Sequence, residues 1–224
     1  MALNFFAFSS DNVPIAGITD RGCGVKDGYK VTFGGRVYPG ITKSLKKRFY
    51  PDYKFKDGTS SIRNGITAHR QLDEYTKCGV VKRKCKSFKK ALATLKSHRF
   101  KPILTEVPVV TSKLSTRLDM ICLDETTQHN MIISYKSGSE RKRRKKREPT
   151  YFKAPLDLVE LNMTNIDGLQ SCMELAILKF CYDLDFRQNY FVLRNDVLTR
   201  PPSWARDLAV MKAVFLILHH HNPT

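Results

Sequence analysis

The chain has 224 residues and is 42% hydrophobic, enough for one substantial core, but no apolar stretch approaches the length of a membrane span. Its net charge of +18 indicates a polyanionic partner, most often nucleic acid. The N-terminus lacks the pattern of a secretory signal, so we expect a soluble intracellular protein with no membrane association.

The first 58 residues are predicted to form an N-terminal extension that packs on a larger domain. Residues 29–33 (YKVTF) show a pattern typical of a strand, which two glycines end. A short helix is then expected, with Thr42 as its N-cap and its end before Pro51.

Residues 59–224 are predicted to form an α/β core that begins with two helices. Ser60 or Ser61 is expected to begin the first helix, and Ser87 to cap the second. Three strand patterns follow: residues 102–111, 117–124 and 130–136.

The remainder of the core contains two further helices and one strand. A loop over about residues 138–150 is too charged to join a core and is expected to be disordered. A long apolar-faced helix, a strand at residues 189–196 and a C-terminal helix with Pro202 near its first turn follow. This order predicts a central mixed β-sheet flanked by helices, with a helical N-terminal part before it.

Three of the ionisable residues in the predicted strands could converge on one point. Glu106 and Asp119 lie mid-strand and Lys136 ends the third strand, so neighbouring strands would bring them to one end of the sheet. Charges in buried strands are costly unless they are paired or bind a metal, and two carboxylates suit Mg²⁺ or Mn²⁺. The alternatives are that Asp119 pairs with Arg117 or Lys136, and that Glu106 is an exposed edge residue.

Two groups of basic residues are candidates for contact with nucleic acid. The first is one uninterrupted run, which could equally be a solvated loop that serves as a nuclear address: Arg141, Lys142, Arg143, Arg144, Lys145, Lys146 and Arg147. The second lies around the predicted third helix and is expected to contact the phosphate backbone through Lys86, Lys89 and Lys90. A rival interpretation is a basic adaptor that docks an anionic protein or membrane through the first group.

Five segments occur in a fixed order between about residues 40 and 195: GITAHRQLDEY, ILTEVPV, STRLDMICLD, MIISYKSG and DGLQSCMELAILKF. Together they resemble the PD-(D/E)XK nuclease superfamily, and within it the RecB-like exonuclease branch, which includes mitochondrial genome-maintenance, phage and viral nucleases. The resemblance implies the restriction-endonuclease-like core of that superfamily.

The resemblance also implies a role for each matched residue. Asp119 matches the central metal-binding aspartate, and Glu106 a carboxylate from the first core strand. Lys136 matches the lysine of the (D/E)-x-K signature, which assists the attacking water. His69 would lie beside the metal, and the Tyr135 carbonyl would be a further ligand.

The activity implied by the resemblance is that of a Mg²⁺- or Mn²⁺-dependent deoxyribonuclease. It would be an exonuclease that acts on DNA ends or single strands and leaves a 5′-phosphate, with Gln170 near the substrate. Such an enzyme would serve replication, repair or recombination in the nucleus, in the mitochondrion or for a virus.

Position 134 departs from the family, which has Asp or Glu where this chain has Ser134. A neutral hydroxyl is a poor Mg²⁺ ligand. Ser134 could be an introduced change that silences cleavage, a natural change in a nuclease that only binds, or a position replaced by another carboxylate such as Asp124 or Glu74. We favour the first, because the other matched residues are all present. The second defines the alternative function, a non-catalytic nucleic-acid-binding protein on a nuclease scaffold.

Overall fold

The structure, a computed structural model, describes the following residues: 19–21, 30–33, 36–53, 59–136, 150–194 and 196–220. The predicted basic run from Arg141 to Arg147 lies outside them, as does all but the last residue of the loop predicted over about residues 138–150. No helix in the described ranges is long and apolar enough to cross a membrane.

A small antiparallel sheet precedes the central one, and the sequence predicts only its middle strand. Its strands and the helix that follows them are β1 (Thr19–Arg21), β2 (Lys30–Phe33), β3 (Arg36–Tyr38) and α1 (Ile41–Phe49). β1 and β3 have three residues each, too few for an alternating pattern to be recognised. The Ser115 amide donates to the Pro39 carbonyl at 2.9 Å and joins this part of the chain to the central sheet.

The central sheet has five strands, and their order in the sheet is their order in the chain: β4 (Phe100–Val110), β5 (Ser115–Asp124), β6 (Asn130–Lys136), β7 (Tyr190–Arg194) and β8 (Val197–Thr199). β6 and β7 are parallel, whereas the other neighbours are antiparallel. A parallel pair needs a long crossover, and the helix after β6 supplies it. The predicted α/β class with a central mixed sheet is thereby confirmed.

Helices cover both faces of this sheet. With α1, the α-helices of the described ranges are α2 (Thr59–Cys78), α3 (Lys86–Ser97), α4 (Met163–Tyr182) and α5 (Leu208–His220). One hydrophobic core lies under α1, α4 and α5, and the other under α2 and α3. β6 shows why both form: Ile132 joins the first core, whereas Ile133 and Tyr135 join the second, as the period of a strand requires.

Two helix starts differ from the predicted caps. α1 begins directly after Gly40, so Thr42 lies inside its first turn and does not cap it. At α3 the Cys85 sulfur accepts from the Phe88 amide at 3.4 Å, so Cys85 takes the capping position expected for Ser87. A cap is decided by the extended backbone of the residue before the helix, and residue type alone does not determine which neighbour adopts it.

The C-terminal helix also begins later than predicted. Pro202 precedes a short 3₁₀ helix, Ser203–Arg206, and α5 begins only at Leu208. Asp207 caps α5, because its Oδ1 accepts from the amides of Ala209 and Val210 at 2.9 and 3.1 Å. The start of α5 is therefore marked by the capping carboxylate of Asp207, which lies inside the segment that the sequence pattern predicts to be helical.

Candidate metal centre

The strands β5 and β6 part at Asp119, which opens the sheet at this point. Their ladder extends from Leu123↔Asn130 to Met120↔Ile133, which makes Asp119 and Ser134 the next residues on the two strands. Beyond the ladder, β5 stays paired with β4 and β6 with β7. Polar side chains can enter the sheet at this fork without breaking a ladder hydrogen bond.

Glu106 of β4 lies opposite Asp119, between the registered pairs Thr105↔Met120 and Val107↔Leu118. The backbone φ of Glu106 is +54°, in the left-handed region that residues other than glycine rarely adopt. Such a conformation costs on the order of 1–3 kcal/mol and is concentrated at functional sites. The local backbone of β4 is therefore strained where its carboxylate enters the fork.

His69 reaches the same point from α2. Its Nδ1 lies 3.0 Å from Oε1 of Glu106 and 3.9 Å from Oδ1 of Asp119. The ligand atoms of the three residues all lie within 4.8 Å of one another, and each side chain is partly accessible. One imidazole nitrogen and two carboxylates are a donor set that fits a divalent cation.

Glu106 is held from a second side by Arg117, whose Nη1 lies 2.9 Å from Oε2 of the glutamate. About a quarter of the Glu106 side chain is exposed, and its two oxygens contact different partners. Glu106 does lie on the edge strand β4, as one alternative expected, but it is partly buried and paired rather than exposed. Each carboxylate oxygen of Glu106 faces a nitrogen donor from a different element.

Ser134 and Tyr135 connect β6 to Asp119 across the fork. The Ser134 hydroxyl donates to Oδ2 of Asp119 at 3.2 Å, and the Tyr135 amide donates to the same oxygen at 2.8 Å. The Tyr135 ring packs edge-on against the His69 ring, with 5.1 Å between their centroids. Ser134 therefore lies beside Asp119, and the Tyr135 main chain lies close to the cluster. The role of the Tyr135 carbonyl as a metal ligand stays a prediction.

Lys136 lies two residues beyond Ser134, and its Nζ donates to Oε1 of Gln170 at 3.0 Å. Gln170 is on the crossover helix α4, which therefore lies on the same side of the sheet as the Lys136 ammonium. The structure therefore brings the predicted Lys136 and Gln170 into direct contact.

Sequence reasoning missed Glu174, which lies one helical turn after Gln170. Its side chain is buried, with 2% exposed, and its Oε1 accepts from Gln170 at 2.8 Å. Burial raises the pKa of Glu174, against the donors that favour its charged form. The available signal was an acid inside the apolar stretch SCMELAI, four residues from a glutamine already singled out.

The two carboxylates suggested as substitutes for position 134 lie outside the cluster. Asp124 ends β5, and its oxygens accept from Thr126 and Thr127 in the following turn. Glu74 is exposed on α2. The expectation that either residue moves into the metal site is therefore not met by the arrangement of the described residues.

Lys86, Lys89 and Lys90 are all exposed on α3, which covers the same face of the sheet as α2 and His69. Lys90 forms an ion pair with Asp196, with 2.6 Å between Nζ and Oδ2. A competing carboxylate weakens the attraction of Lys90 for a phosphate, so Lys86 and Lys89 are the stronger candidates of the three for that contact.

The His69 imidazole is electrostatically coupled to the carboxylates. Burial alone would lower its pKa, but the hydrogen bond to Glu106 and the charges of Asp119 and Glu106 outweigh burial. The pKa of His69 is therefore raised above the ordinary value of 6.5. A protonated His69 cannot bind a metal, so a proton and a cation compete for this cluster.

We predict that the affinity for Mn²⁺ increases with pH until the pH exceeds the raised pKa of His69. Below that pKa, one proton must leave His69 for each ion bound, so affinity should rise about tenfold per pH unit. Calorimetric titrations in buffers from pH 6 to 8.5 would measure this slope, and His69→Gln should flatten it. Equal slopes for the two proteins would show that His69 takes no part in binding.

The fold and the cluster define a mixed α/β protein with a histidine and two carboxylates at the fork of its sheet. No protein-family model, curated protein or solved structure matches the chain.

Proposed function

We propose that the chain has the architecture of a metal-dependent deoxyribonuclease of the PD-(D/E)XK type, and that it acts as an exonuclease on DNA ends or single strands. The observation that carries the proposal is the convergence of His69, Glu106 and Asp119 at the point where β5 and β6 part. Lys136, on the strand beyond this point, supplies an ammonium group on the same side of the sheet as α4. The ordered sequence resemblance supports the same assignment.

His69, Glu106 and Asp119 would hold Mg²⁺ or Mn²⁺, which lowers the pKa of a bound water and polarises a phosphoryl oxygen. Lys136 would orient the attacking water or stabilise the negative charge that develops on the phosphate. Arg117 fixes Glu106 through one oxygen and leaves the other directed at His69. The left-handed backbone at Glu106 keeps its carboxylate in the fork.

The net charge of +18 supports DNA as the polyanion. Exposed Lys86 and Lys89 lie on a helix that covers the face from which His69 enters. We propose that they contact the phosphate backbone beside the cleaved end, and that the run 141–147 adds affinity without reading sequence.

Ser134 supports the interpretation of a silenced site. It occupies the position next to Asp119 where a third strand-borne carboxylate would face the same ion, and it supplies a neutral hydroxyl there. The remaining groups, His69, Glu106, Asp119 and Lys136, are all in place. The test is a cleavage assay with Mn²⁺ on labelled single- and double-stranded DNA, comparing this chain with its Ser134→Asp version.

A second candidate function is a non-catalytic DNA-binding protein on the same scaffold, and Ser134 is the observation that favours it. The assay separates the two candidates, because a binding protein would retain DNA without cutting it in both versions. RNA substrates belong in the same assay, since nothing in the cluster distinguishes deoxyribose from ribose.

We predict that DNA binding is strongly salt-dependent and that the basic run contributes to this dependence. Each neutralised phosphate makes log K fall with log salt by about 0.7 to 0.9. Deleting residues 141–147 should therefore flatten the slope measured by fluorescence anisotropy between low and physiological salt. An unchanged slope would assign the run to targeting rather than to DNA contact.

A further inference from the structure

A network of polar groups extends from the half-buried Lys136 and Gln170 into the first core. Lys136 donates to Oε1 of Gln170 at 3.0 Å, and Nε2 of Gln170 donates to Oε1 of Glu174 at 2.8 Å. The Tyr190 hydroxyl donates to Oε2 of Glu174, and the Thr116 hydroxyl donates to Oε1 at 3.3 Å. This network of hydrogen bonds therefore joins β5, β6, α4 and β7 behind the fork.

Burying the Glu174 carboxylate in the first core costs free energy. Glu174 is buried with 2% exposed, and Tyr190, which belongs to the first core, is fully buried. The residues on either side of Glu174 in α4, Met173 and Leu175, belong to the same core. A buried carboxylate needs several donors to offset its lost hydration, and three donors converge on this one. An apolar residue would fill the same volume without that cost, so the carboxylate calls for a reason beyond packing.

The orientation of the Gln170 amide supplies that reason. A glutamine amide presents an oxygen acceptor on one side and an NH₂ donor on the other. An ammonium has only donors, so Lys136 needs the oxygen. Oε1 of Glu174 acts as an acceptor for Gln170 and for the Thr116 hydroxyl, so it needs the NH₂. With these two neighbours only one of the two amide orientations satisfies both.

We propose that Glu174 is a positioning residue, which locks the Gln170 amide with its oxygen toward Lys136 and thereby fixes the ammonium at the fork. This inference rests on the proposed function for the role of Lys136 in cleavage, but the locked amide itself does not depend on cleavage. Both Glu174 oxygens are engaged inside the protein, and the residue is not one of the three that converge on the candidate ion position.

Two variants of almost unchanged shape test the proposal. In Glu174→Met, which has nearly the same length, no oxygen is left at position 174 to accept from Nε2 of Gln170. The Gln170 amide is then free to turn, and its NH₂ can face Lys136, donor against donor. The exchange Gln170→Glu with Glu174→Gln restores an acceptor for Lys136, because the carboxylate at position 170 accepts both from Lys136 and from the amide at position 174.

The first readout is the ¹⁵N-labelled side-chain amide of Gln170 by NMR, which does not depend on activity. In the present chain one of its protons should be shifted downfield by the carboxylate, and Glu174→Met should remove that shift. An unchanged Gln170 signal in Glu174→Met would overturn the proposal, whatever the protein does to DNA.

The second readout is cleavage in the Ser134→Asp background. Glu174→Met should lower kcat by about 10- to 100-fold with little change in KM, as expected for a displaced reacting group, and the exchange should recover most of the loss. Mn²⁺ affinity should stay the same in all versions. A tenfold weaker Mn²⁺ affinity in Glu174→Met, or no recovery in the exchange, would overturn the proposal. If Ser134→Asp cleaves nothing, the proposed function fails, and the NMR result alone decides whether Glu174 locks the amide.

Discussion

Restoring a carboxylate at position 134 should switch on metal-dependent cleavage, with Ser134→Asp or Ser134→Glu exceeding the present chain by at least a factor of about 10². The Ser134 hydroxyl lies 3.2 Å from Oδ2 of Asp119, so a carboxylate there would face the ion from the second side of the fork. The ion would then be held more firmly where the phosphate, the water and Lys136 align. DNA affinity should change little, because the serine is buried and contributes no charge.

The matched control for this gain is Ser134→Asn, which has the shape of the aspartate without its charge. It should stay as inactive as the present chain if the carboxylate itself is what the site lacks. Adding Lys136→Ala to Ser134→Asp should remove the gain, because the ammonium stabilises charge that appears only in the transition state. If neither acid yields metal-dependent cleavage of any DNA or RNA substrate, the binding-protein interpretation replaces the nuclease.

Removing the Asp119 carboxylate should abolish the binding of a divalent ion. Mutation of residues that merely support metal ligands costs about 10- to 100-fold in affinity, and loss of a ligand should cost at least that much. Asp119→Asn is the informative version, since its amide oxygen can still accept from the Tyr135 amide that now bonds to Asp119 at 2.8 Å. The fold should therefore persist, and calorimetric titration with Mn²⁺ would measure the change.

Asp124→Asn is the control, because Asp124 lies on the same strand but bonds to the turn after it. Its Mn²⁺ affinity should equal that of the unchanged chain. Equal affinities for Asp119→Asn and the unchanged chain would show that the ion binds elsewhere.

The central strands could be predicted from the sequence because their apolar patterns are long. β4, β5 and β6 contain 11, 10 and 7 residues, and each shows a run of strand-forming residues bounded by turns. The charged residues inside those patterns could be singled out for the same reason, since a carboxylate in an apolar strand stands out. β1, β3 and β8, with three residues each, carry no such pattern.

The contacts around the site could not be predicted, because they depend on strand register and on single backbone torsions. The pairing of Arg117 with Glu106 requires β4 and β5 to be antiparallel in one register, with Glu106 in a left-handed conformation. Glu174 looked like one polar residue in a core helix, and only the packing of α4 against β6 places it behind Lys136 through Gln170. Sequence periodicity identifies a face of a helix but not its partner.

The most direct test of the account is the position of Mn²⁺ in crystals of this chain, located by its anomalous scattering. We expect one strong peak at the fork between β5 and β6, in contact with the carboxylates of Glu106 and Asp119 and with a ring nitrogen of His69. A crystal soaked in Mn²⁺ that shows no peak there, or shows its strongest peak at other residues, would contradict the assignment of this cluster as the metal centre.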